Sequence, residues 1–171
     1  MIRILLIEDM DILRDSLAGT LDAQPDMTVC AAGASAGQAL ELCRAHRPDL
    51  ALLDVCTQGG ESGIQAAAAL RAAFPDLKIV IFTGMPDLRF LQAAREAGAN
   101  SFVYKNLGTK ELVSVLRSTM NGYNTFPAQP AAPILAGAAL TERELEILRL
   151  TCEGCDRQEI AGALNLSEST V

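Results

Sequence analysis

Four short apolar runs of this 171-residue sequence are each followed by side chains that can do chemistry. Glu8 and Asp9 follow RILLI, and Asp54 follows LALL. Thr83 follows KIVIF, and Lys105 follows SFVY. Short apolar runs between polar residues are typical of buried strands in a parallel sheet, and such sheets bind ligands at the carboxyl ends of their strands. We therefore expect these five side chains to meet at one edge of a sheet.

This set of side chains is suited to phosphoryl transfer. The carboxylate of Asp54 can attack phosphorus, and the adjacent acids Glu8 and Asp9 can hold Mg²⁺, which keeps several waters and takes few protein carboxylates. Lys105 and Thr83 supply positive charge and a hydrogen-bond donor for the phosphoryl oxygens. Each residue taken singly is more simply explained as solvated surface. Their position at the ends of separate strands favours a phosphoryl and metal site.

The first 120 residues alternate strand-like and helix-like patterns. Strands are predicted at residues 3–7, 27–31, 50–54, 78–82 and 101–104. Helices are predicted at about residues 11–23, 35–46, 63–74, 88–97 and 109–120, the second and fifth with Ser35 and Thr109 as N-caps. Alternation of this kind predicts a doubly wound α/β fold, with a five-stranded parallel sheet covered by helices on both faces.

Residues 121–139 have a different composition, with three prolines and no charged side chain. Such a stretch is typical of a linker. Its apolar residues Phe126, Ile134 and Leu135 indicate that part of it docks on a domain.

Residues 140–171 return to helical patterns. Thr141 and Glu144 have the spacing of a capping box at the start of one helix, which Gly154 closes. Asp156 is the expected cap of a second helix, with Ile160, Ala161 and Leu164 facing inward. Asn165 and Leu166 then form a turn, and a third helix begins at Ser167. Two short helices and a tight turn before a third predict a helix-turn-helix, of which this sequence holds only the start of the third helix.

Composition argues against a membrane protein and a bare polyanion binder. No apolar stretch approaches the about 20 residues that span a membrane, and Met1 leads directly into a strand, so we expect a cytoplasmic protein. The net charge is −7, and seven acids face three arginines from Ala139 onward. A chain with this charge balance repels the phosphates of nucleic acids.

The five cysteines are read as reduced thiols in packed positions, because their number is odd and nothing indicates secretion. Cys152 and Cys155 form a CxxC pair, but the sequence has no second pair, and its single histidine, His46, is distant. A zinc site would therefore lack ligands.

Residues 1 to about 120 resemble a response-regulator receiver domain, a flavodoxin-like fold. LLIED matches the acidic pair, LLDV the phosphoacceptor strand, IFTG the threonine position and AGANSFVYK the lysine strand. The resemblance implies that a sensor histidine kinase phosphorylates Asp54. It also implies Mg²⁺ at Asp9, Asp54 and the backbone carbonyl of Cys56, with Thr83 and Phe102 as a conformational switch. In that switch Thr83 follows the phosphoryl oxygen, and Phe102 is expected to turn inward into the space that Thr83 leaves.

Residues 140–171 resemble a LuxR-type helix-turn-helix, through LTERELEILRL and EGCDRQEIAGALNLSESTV. With the receiver, this is similar to the NarL/FixJ type of transcriptional response regulator. The resemblance implies DNA binding by the full-length protein, more tightly when phosphorylated, and a possible homodimer. In that type the rest of the recognition helix and a helix that pairs protomers come next. We therefore expect residues 1–171 alone not to bind DNA specifically. Without the helix that should cover Ile160 and Leu164, we expect residues 140–171 to be loosely ordered, to dock on the receiver or to pack on a neighbouring chain.

The sequence departs from the receiver pattern at two loops. Thr57 and Gln58 stand where the family usually has methionine and proline, in a loop that is one residue longer than usual. Asn106 follows Lys105 where proline is usual, so a cis peptide bond is less expected there.

Two other functions compete with this interpretation. One is a receiver fold that binds partner proteins without phosphorylation, against which the complete set of site residues counts. The other is a phosphatase resembling the haloacid dehalogenases. That chemistry needs a second aspartate two residues after the nucleophile, where this chain has Cys56, so we do not expect an enzyme.

Overall fold

The computed structural model describes residues 1–60, 62–85, 87–127, 147, 149–150, 157–164 and 166–167. The chain divides into two units, Met1–Ala128 and Gln129–Val171. Among the described residues, no helix is both long and apolar enough to cross a membrane.

The first unit contains five strands and five α-helices that alternate along the chain. The strands are β1 (Ile2–Ile7), β2 (Met27–Gly33), β3 (Leu50–Leu53), β4 (Lys78–Thr83) and β5 (Ser101–Tyr104). The helices are α1 (Asp11–Asp22), α2 (Ala39–His46), α3 (Gly63–Ala73), α4 (Leu88–Glu96) and α5 (Thr109–Met120). Single 3₁₀ turns lie at Ala36–Gln38 and Gln58–Gly60.

All four strand pairings are parallel, and the sheet order is β2-β1-β3-β4-β5. In the central pairings, Leu53 lies opposite Ile7 on one side and Ile81 on the other. The ends of β1 and β3 are therefore level, and β4 extends two residues further, to Thr83. We call this side of the sheet its carboxyl edge. The prediction of a doubly wound five-stranded parallel sheet is confirmed.

Alternate residues of each strand face opposite sides of the sheet, so the unit has two cores. One core joins strand residues such as Leu53, Ile81 and Phe102 to α2, α3 and α4. The other joins residues such as Leu52 and Val80 to α1 and α5. All five of these side chains are fully buried, with 0% exposure. Burial on both faces explains why the central strands have continuous apolar runs.

Two predicted element starts are corrected. Gly108, not Thr109, is the N-cap of α5, and Thr109 is already helical; no side chain caps this helix. Ser35 accepts a hydrogen bond from the amide of Gly37 as predicted, but it caps the 3₁₀ turn, and α2 begins only at Ala39. Strand β2 continues two residues beyond the predicted end at Ala31, because pairing with the end of β1 supports it to Gly33.

Part of the predicted linker lies on the first unit. Phe126 packs against the core that contains Phe102, and the guanidinium of Arg95 lies 3.9 Å from the centroid of its ring. The docking predicted for Phe126 is confirmed, whereas Ile134 and Leu135 lie outside the described residues.

The second unit contains α6 (Arg157–Leu164), which matches the predicted second helix. Ile160 and Ala161 are 3% and 5% exposed, and Leu164 is half-buried, so the prediction that Ile160 and Ala161 face inward is confirmed. The amide of Leu166 donates to the carbonyl of Ala161, a bond that ends a helix in a tight turn. The predicted caps at Thr141 and Asp156, and the pair Cys152 and Cys155, lie outside the described residues.

Candidate functional site

The backbone brings the predicted site residues together at the carboxyl edge. The amide of Asp54 donates to the carbonyl of Ile7, 2.9 Å away, which places it beside Glu8. The amide of Lys105 donates to the carbonyl of Thr83 at 2.8 Å, so the ends of β4 and β5 are also joined. The side chains of Glu8, Asp54 and Thr83 are all buried.

Lys105 links two of the carboxylates. Its Nζ donates to Oδ2 of Asp54 at 2.8 Å and lies 2.7 Å from Oε2 of Glu8. The contact with Glu8 has the distance of an ion pair but not the geometry of a hydrogen bond, and Oε2 has no other partner. The lysine side chain is 19% exposed, so this charged group is shielded from much of the solvent.

Burial and charge shift the pKa values of this pair. Burial raises the pKa of Glu8 above its ordinary value, and the charge of Asp54 adds to the rise, while Lys105 opposes it. Burial lowers the pKa of Lys105, but its hydrogen bond to Asp54 and its contact with Glu8 outweigh that effect and raise it. The ammonium therefore stays charged, while Glu8 is costly to ionise.

The three acids form a cluster that fits a hard cation. Glu8, Asp9 and Asp54 each offer a carboxylate oxygen, and these atoms lie within 4.8 Å of one another. Three carboxylates exceed the single ammonium in charge, and oxygen ligands are those that Mg²⁺ prefers. Cys56 follows two residues after Asp54, where its backbone bridges to Ser62. A role for the Cys56 carbonyl as a ligand stays a prediction.

The side chain of Cys56 is exposed, with Sγ 3.6 Å from Sδ of Met85. The expectation of a packed thiol is therefore wrong for Cys56, because its loop runs over the surface beside the site. Cys43 is buried as expected.

Both residues of the predicted switch are buried. Oγ1 of Thr83 accepts a hydrogen bond from the amide of Met85 at 3.2 Å. The ring of Phe102 is 0% exposed and meets the ring of Tyr104 edge to face, with centroids 5.4 Å apart. The prediction that Phe102 turns inward assumed an outward starting position, whereas here the ring already lies in the core.

The structure describes the positions at which the sequence departs from the receiver pattern, Thr57, Gln58 and Asn106. Oγ1 of Thr57 accepts a hydrogen bond from the amide of Ala36 at 2.9 Å, which ties the loop after Asp54 to the start of the 3₁₀ turn. The peptide bonds of the described residues are all trans, including that between Lys105 and Asn106.

Sequence reasoning missed two residues that support the site. A Cβ at Gly63 would lie 1.8 Å from the carbonyl oxygen of Asp54, so only glycine allows α3 to begin this close to the site. The guanidinium of Arg14 donates to the carbonyl of Glu8 at 2.9 Å and so holds the end of β1. The motif SGIQ signals the start of α3, since Ser62 and Gln65 form a capping box. No sequence signal identifies Arg14.

Two family models match the chain. The response regulator receiver domain matches residues 4–117, and the family of bacterial regulatory proteins of the LuxR type matches residues 138–171. The first match includes all the predicted site residues and the whole sheet from Ile4 onward.

Similar proteins align with the whole chain or nearly all of it. The transcriptional regulatory protein DesR of Bacillus subtilis is 30% identical over 172 residues, which cover 100% of this chain and 85% of DesR. The oxygen regulatory protein NreC of Staphylococcus epidermidis is also 30% identical, over 99% of this chain and 85% of NreC.

A crystal structure of a LuxR-family two-component response regulator from Aurantimonas sp. SI85-9A1 has a TM-score of 0.70 and 31% identity. The similarity covers 73% of this chain and 89% of that one. Response regulators of this type are phosphorylated by sensor histidine kinases and bind DNA. The parallel sheet, the acidic cluster at its carboxyl edge and these matches together lead to one assignment: the chain belongs to the response regulators, of the NarL/FixJ type, which join a receiver domain to a LuxR-type DNA-binding domain.

Proposed function

We propose that Asp54 is the phosphoacceptor of a transcription regulator, with residues 1–120 as the receiver, 121–139 as the linker and 140–171 as part of the DNA-binding domain. The observation that carries the proposal is the hydrogen bond from Lys105 to Asp54 beside the acidic cluster. A structural ion pair would need one carboxylate, whereas here Lys105 contacts two, those of Asp54 and Glu8, and Asp9 adds a third whose oxygen lies within 4.8 Å of theirs. The excess of negative charge prepares the site for a cation and a phosphoryl group.

The reaction transfers a phosphoryl group from a phosphohistidine of the kinase. An oxygen of the Asp54 carboxylate attacks phosphorus, the P–N bond breaks, and the imidazole leaves with the electron pair of that bond. Lys105 moves from the carboxylates to a phosphoryl oxygen, and the hydroxyl of Thr83 donates to another. The chain is itself the substrate of this step, and we do not propose that it is an enzyme.

Glu8, Asp9, Asp54 and the carbonyl of Cys56 are the proposed ligands of Mg²⁺. When bound, the cation neutralises charge on the phosphoryl oxygens and lowers the repulsion among the carboxylates. Glu8 gains most from this, because its carboxylate is 0% exposed and its pKa is raised by burial.

The phosphodonor is proposed to be a protein, because exposed apolar side chains follow three of the strands that carry the site. These side chains are between 37% and 85% exposed, and they are Met10, Ile12, Met85, Leu88 and Leu107. They lie in the loops and first helical turns after β1, β4 and β5. Exposed apolar residues grouped around a polar site are typical of a protein docking surface. We propose that the histidine kinase docks there.

Phosphorylation is proposed to act through Thr83 and Phe102. When the hydroxyl of Thr83 turns to the phosphoryl group it leaves the amide of Met85, and the end of β4 and the loop before α4 adjust. The full-length protein is then proposed to bind DNA more tightly, as a homodimer in the cytoplasm. Residues 1–171 alone are proposed not to bind DNA specifically, because acids outnumber arginines by seven to three from Ala139 onward.

Labelling by acetyl phosphate with Mg²⁺ tests the proposal. Wild-type protein should gain one phosphoryl group, detected by intact mass, and Asp54→Asn should gain none. Asp49→Asn is the matched control, since Asp49 is an exposed acid directly before β3, at the opposite end of the strand from Asp54. Labelling of Asp54→Asn at the wild-type level would contradict the assignment of Asp54. Absence of labelling in the wild-type protein would favour the phosphorylation-independent interaction module.

A further inference from the structure

The chain after α5 turns back along the outer edge of the sheet, where β5 is the last strand. The amide of Phe102 donates to the carbonyl of Thr125 at 2.7 Å, and the amide of Thr125 donates to Oγ of Ser101 at 2.9 Å. We propose that residues 124–127, the β5 strap, hold Phe102 in its buried position and are themselves held more firmly when Asp54 is phosphorylated. The second half of this inference rests on the proposed function.

A chain of buried hydroxyls connects the strap to α5. Thr119 donates its proton to the carbonyl of Val115 at 2.8 Å, so Ser101 must be the donor in the 2.7 Å bond between the two hydroxyls. Ser101 thus accepts from Thr125 and donates to Thr119. Ser101 and Thr119 are 0% and 1% exposed, and a buried hydroxyl left without a partner is costly. The relay therefore favours the docked strap.

Phe126 connects the strap to α4. Its ring packs against the same core as Phe102, Leu91 and Ala94, on the same face of the sheet. The guanidinium of Arg95, in the last turn of α4, lies 3.9 Å from the ring centroid, within the range of a cation–π contact. Phe126 and Arg95 thus close the outer side of the core in which the Phe102 ring lies.

The strap therefore holds Phe102 in two ways. It binds the backbone amide of Phe102, and it covers the core around the ring. For the ring to leave this core on the outer side, the strap has to open. A phosphoryl group that draws Thr83 toward it favours the buried ring, so phosphorylation and strap docking stabilise the same state. Two events that favour one state must strengthen each other by the same factor.

The strap also ends the first unit, Met1–Ala128. Its release frees additional residues and lengthens the tether to the second unit. A longer tether lowers the effective concentration of one unit near the other. Docking of the strap is thus a route by which the state of Asp54 reaches the DNA-binding part of the chain.

Amide hydrogen exchange in the 171-residue chain tests the first half of the proposal without any ligand. In Phe126→Ala we expect the amide of Phe102 to exchange about tenfold faster, relative to the central amide of Leu52, because the local opening becomes easier. Tyr123→Ala is the matched control, because it removes an aromatic ring from the residue just before the strap, where Tyr123 is 70% exposed. Arg95→Gln keeps the aliphatic part of the side chain but removes the cation, and it should make exchange of the Phe102 amide about twofold faster.

Binding of beryllofluoride with Mg²⁺ tests the second half. We expect Phe126→Ala to bind this phosphoryl mimic about fivefold more weakly than wild type, and Tyr123→Ala to bind it equally well. In wild type, the mimic should slow the exchange of the Phe102 amide.

The outcomes separate the two proposals. Equal exchange of the Phe102 amide in Phe126→Ala and Tyr123→Ala would overturn the proposal that the strap holds Phe102. Faster exchange in Phe126→Ala with an unchanged affinity for the mimic would overturn the proposed coupling between the strap and Asp54. If wild-type protein does not bind the mimic, the proposed function fails, while the exchange measurement still decides whether the strap holds Phe102.

Discussion

Nζ of Lys105 lies 2.8 Å from Oδ2 of Asp54, although 51 residues separate them in the chain. The contact depends on β3, β4 and β5 lying side by side, with β4 and β5 ending together two residues beyond the end of β3. It places a positive charge where a carboxylate is proposed to receive a phosphoryl group. The same ammonium balances the buried charge of Glu8.

Removal of the Lys105 ammonium should slow phosphorylation. We expect Lys105→Ala to be labelled by acetyl phosphate about 100-fold more slowly, since loss of one preorganised donor typically costs about 10² to 10³ in rate. Lys110→Ala, on the exposed surface of α5, should be labelled at the wild-type rate. Equal rates for the two variants would show that Lys105 only balances charge in the resting state.

The pH dependence of stability should report Glu8. Its pKa is raised in the folded protein, so its contribution to stability is present below the ordinary glutamate pKa and is lost as pH rises through the raised value. Mg²⁺ should offset this loss by stabilising the ionised form. Thermal unfolding with and without Mg²⁺ should show a larger increase in Tm at pH 8 than at pH 5. Glu8→Gln should make that increase smaller and less dependent on pH, and an unchanged profile would remove Glu8 from the metal site.

Gly63 should tolerate no side chain. A Cβ there would lie 1.8 Å from the carbonyl oxygen of Asp54, so Gly63→Ala must displace either α3 or Asp54. We expect a loss of about 2 to 3 kcal/mol in the free energy of unfolding, as for other overpacked sites. Gly19→Ala is the control, because Gly19 lies in α1 with no atom within 4 Å of its added Cβ. That change should stabilise the protein by about 0.5 to 1 kcal/mol. Similar urea midpoints for both variants would contradict this close approach.

Loss of the Ser101 hydroxyl should destabilise the first unit. Ser101→Ala removes the acceptor of the half-buried Thr125 amide and the partner of the buried Thr119 hydroxyl. We expect a loss of about 1 to 3 kcal/mol in the free energy of unfolding. Ser114→Ala, at an exposed position of α5, should change it by less than about 0.5 kcal/mol. Equal free energies of unfolding for Ser101→Ala and Ser114→Ala, measured with urea, would mean that water replaces the Ser101 hydroxyl.

Residues 1–171 should bind DNA weakly and without sequence preference. A gel-shift titration at low salt with excess competitor DNA measures this. Phosphorylated and unphosphorylated protein should behave alike in this assay, because the net negative charge of the sequence from Ala139 onward repels phosphates in both states. A sequence-specific complex that survives the competitor would show that this segment already holds a recognition surface.

The sequence alone determined the order of strands and helices and the residues at the strand ends. This was possible because burial on both faces of a parallel sheet demands continuous apolar runs, and each run here ends on a polar side chain. Because parallel strands have their carboxyl ends at one edge of the sheet, the sequence was enough to predict that Glu8, Asp54, Thr83 and Lys105 lie there.

Only the tertiary structure decided which of these groups touch and what lies around them. The starting position of Phe102, the approach of Gly63 to Asp54 and the docking of Phe126 all depend on packing between elements far apart in the chain. No local pattern encodes such contacts, because a backbone position constrains its own side chain but not its distant neighbours. The cap of α5 shows the same limit on a smaller scale: Thr109 has the residue type of an N-cap, yet the chain leaving β5 places Gly108 in that position.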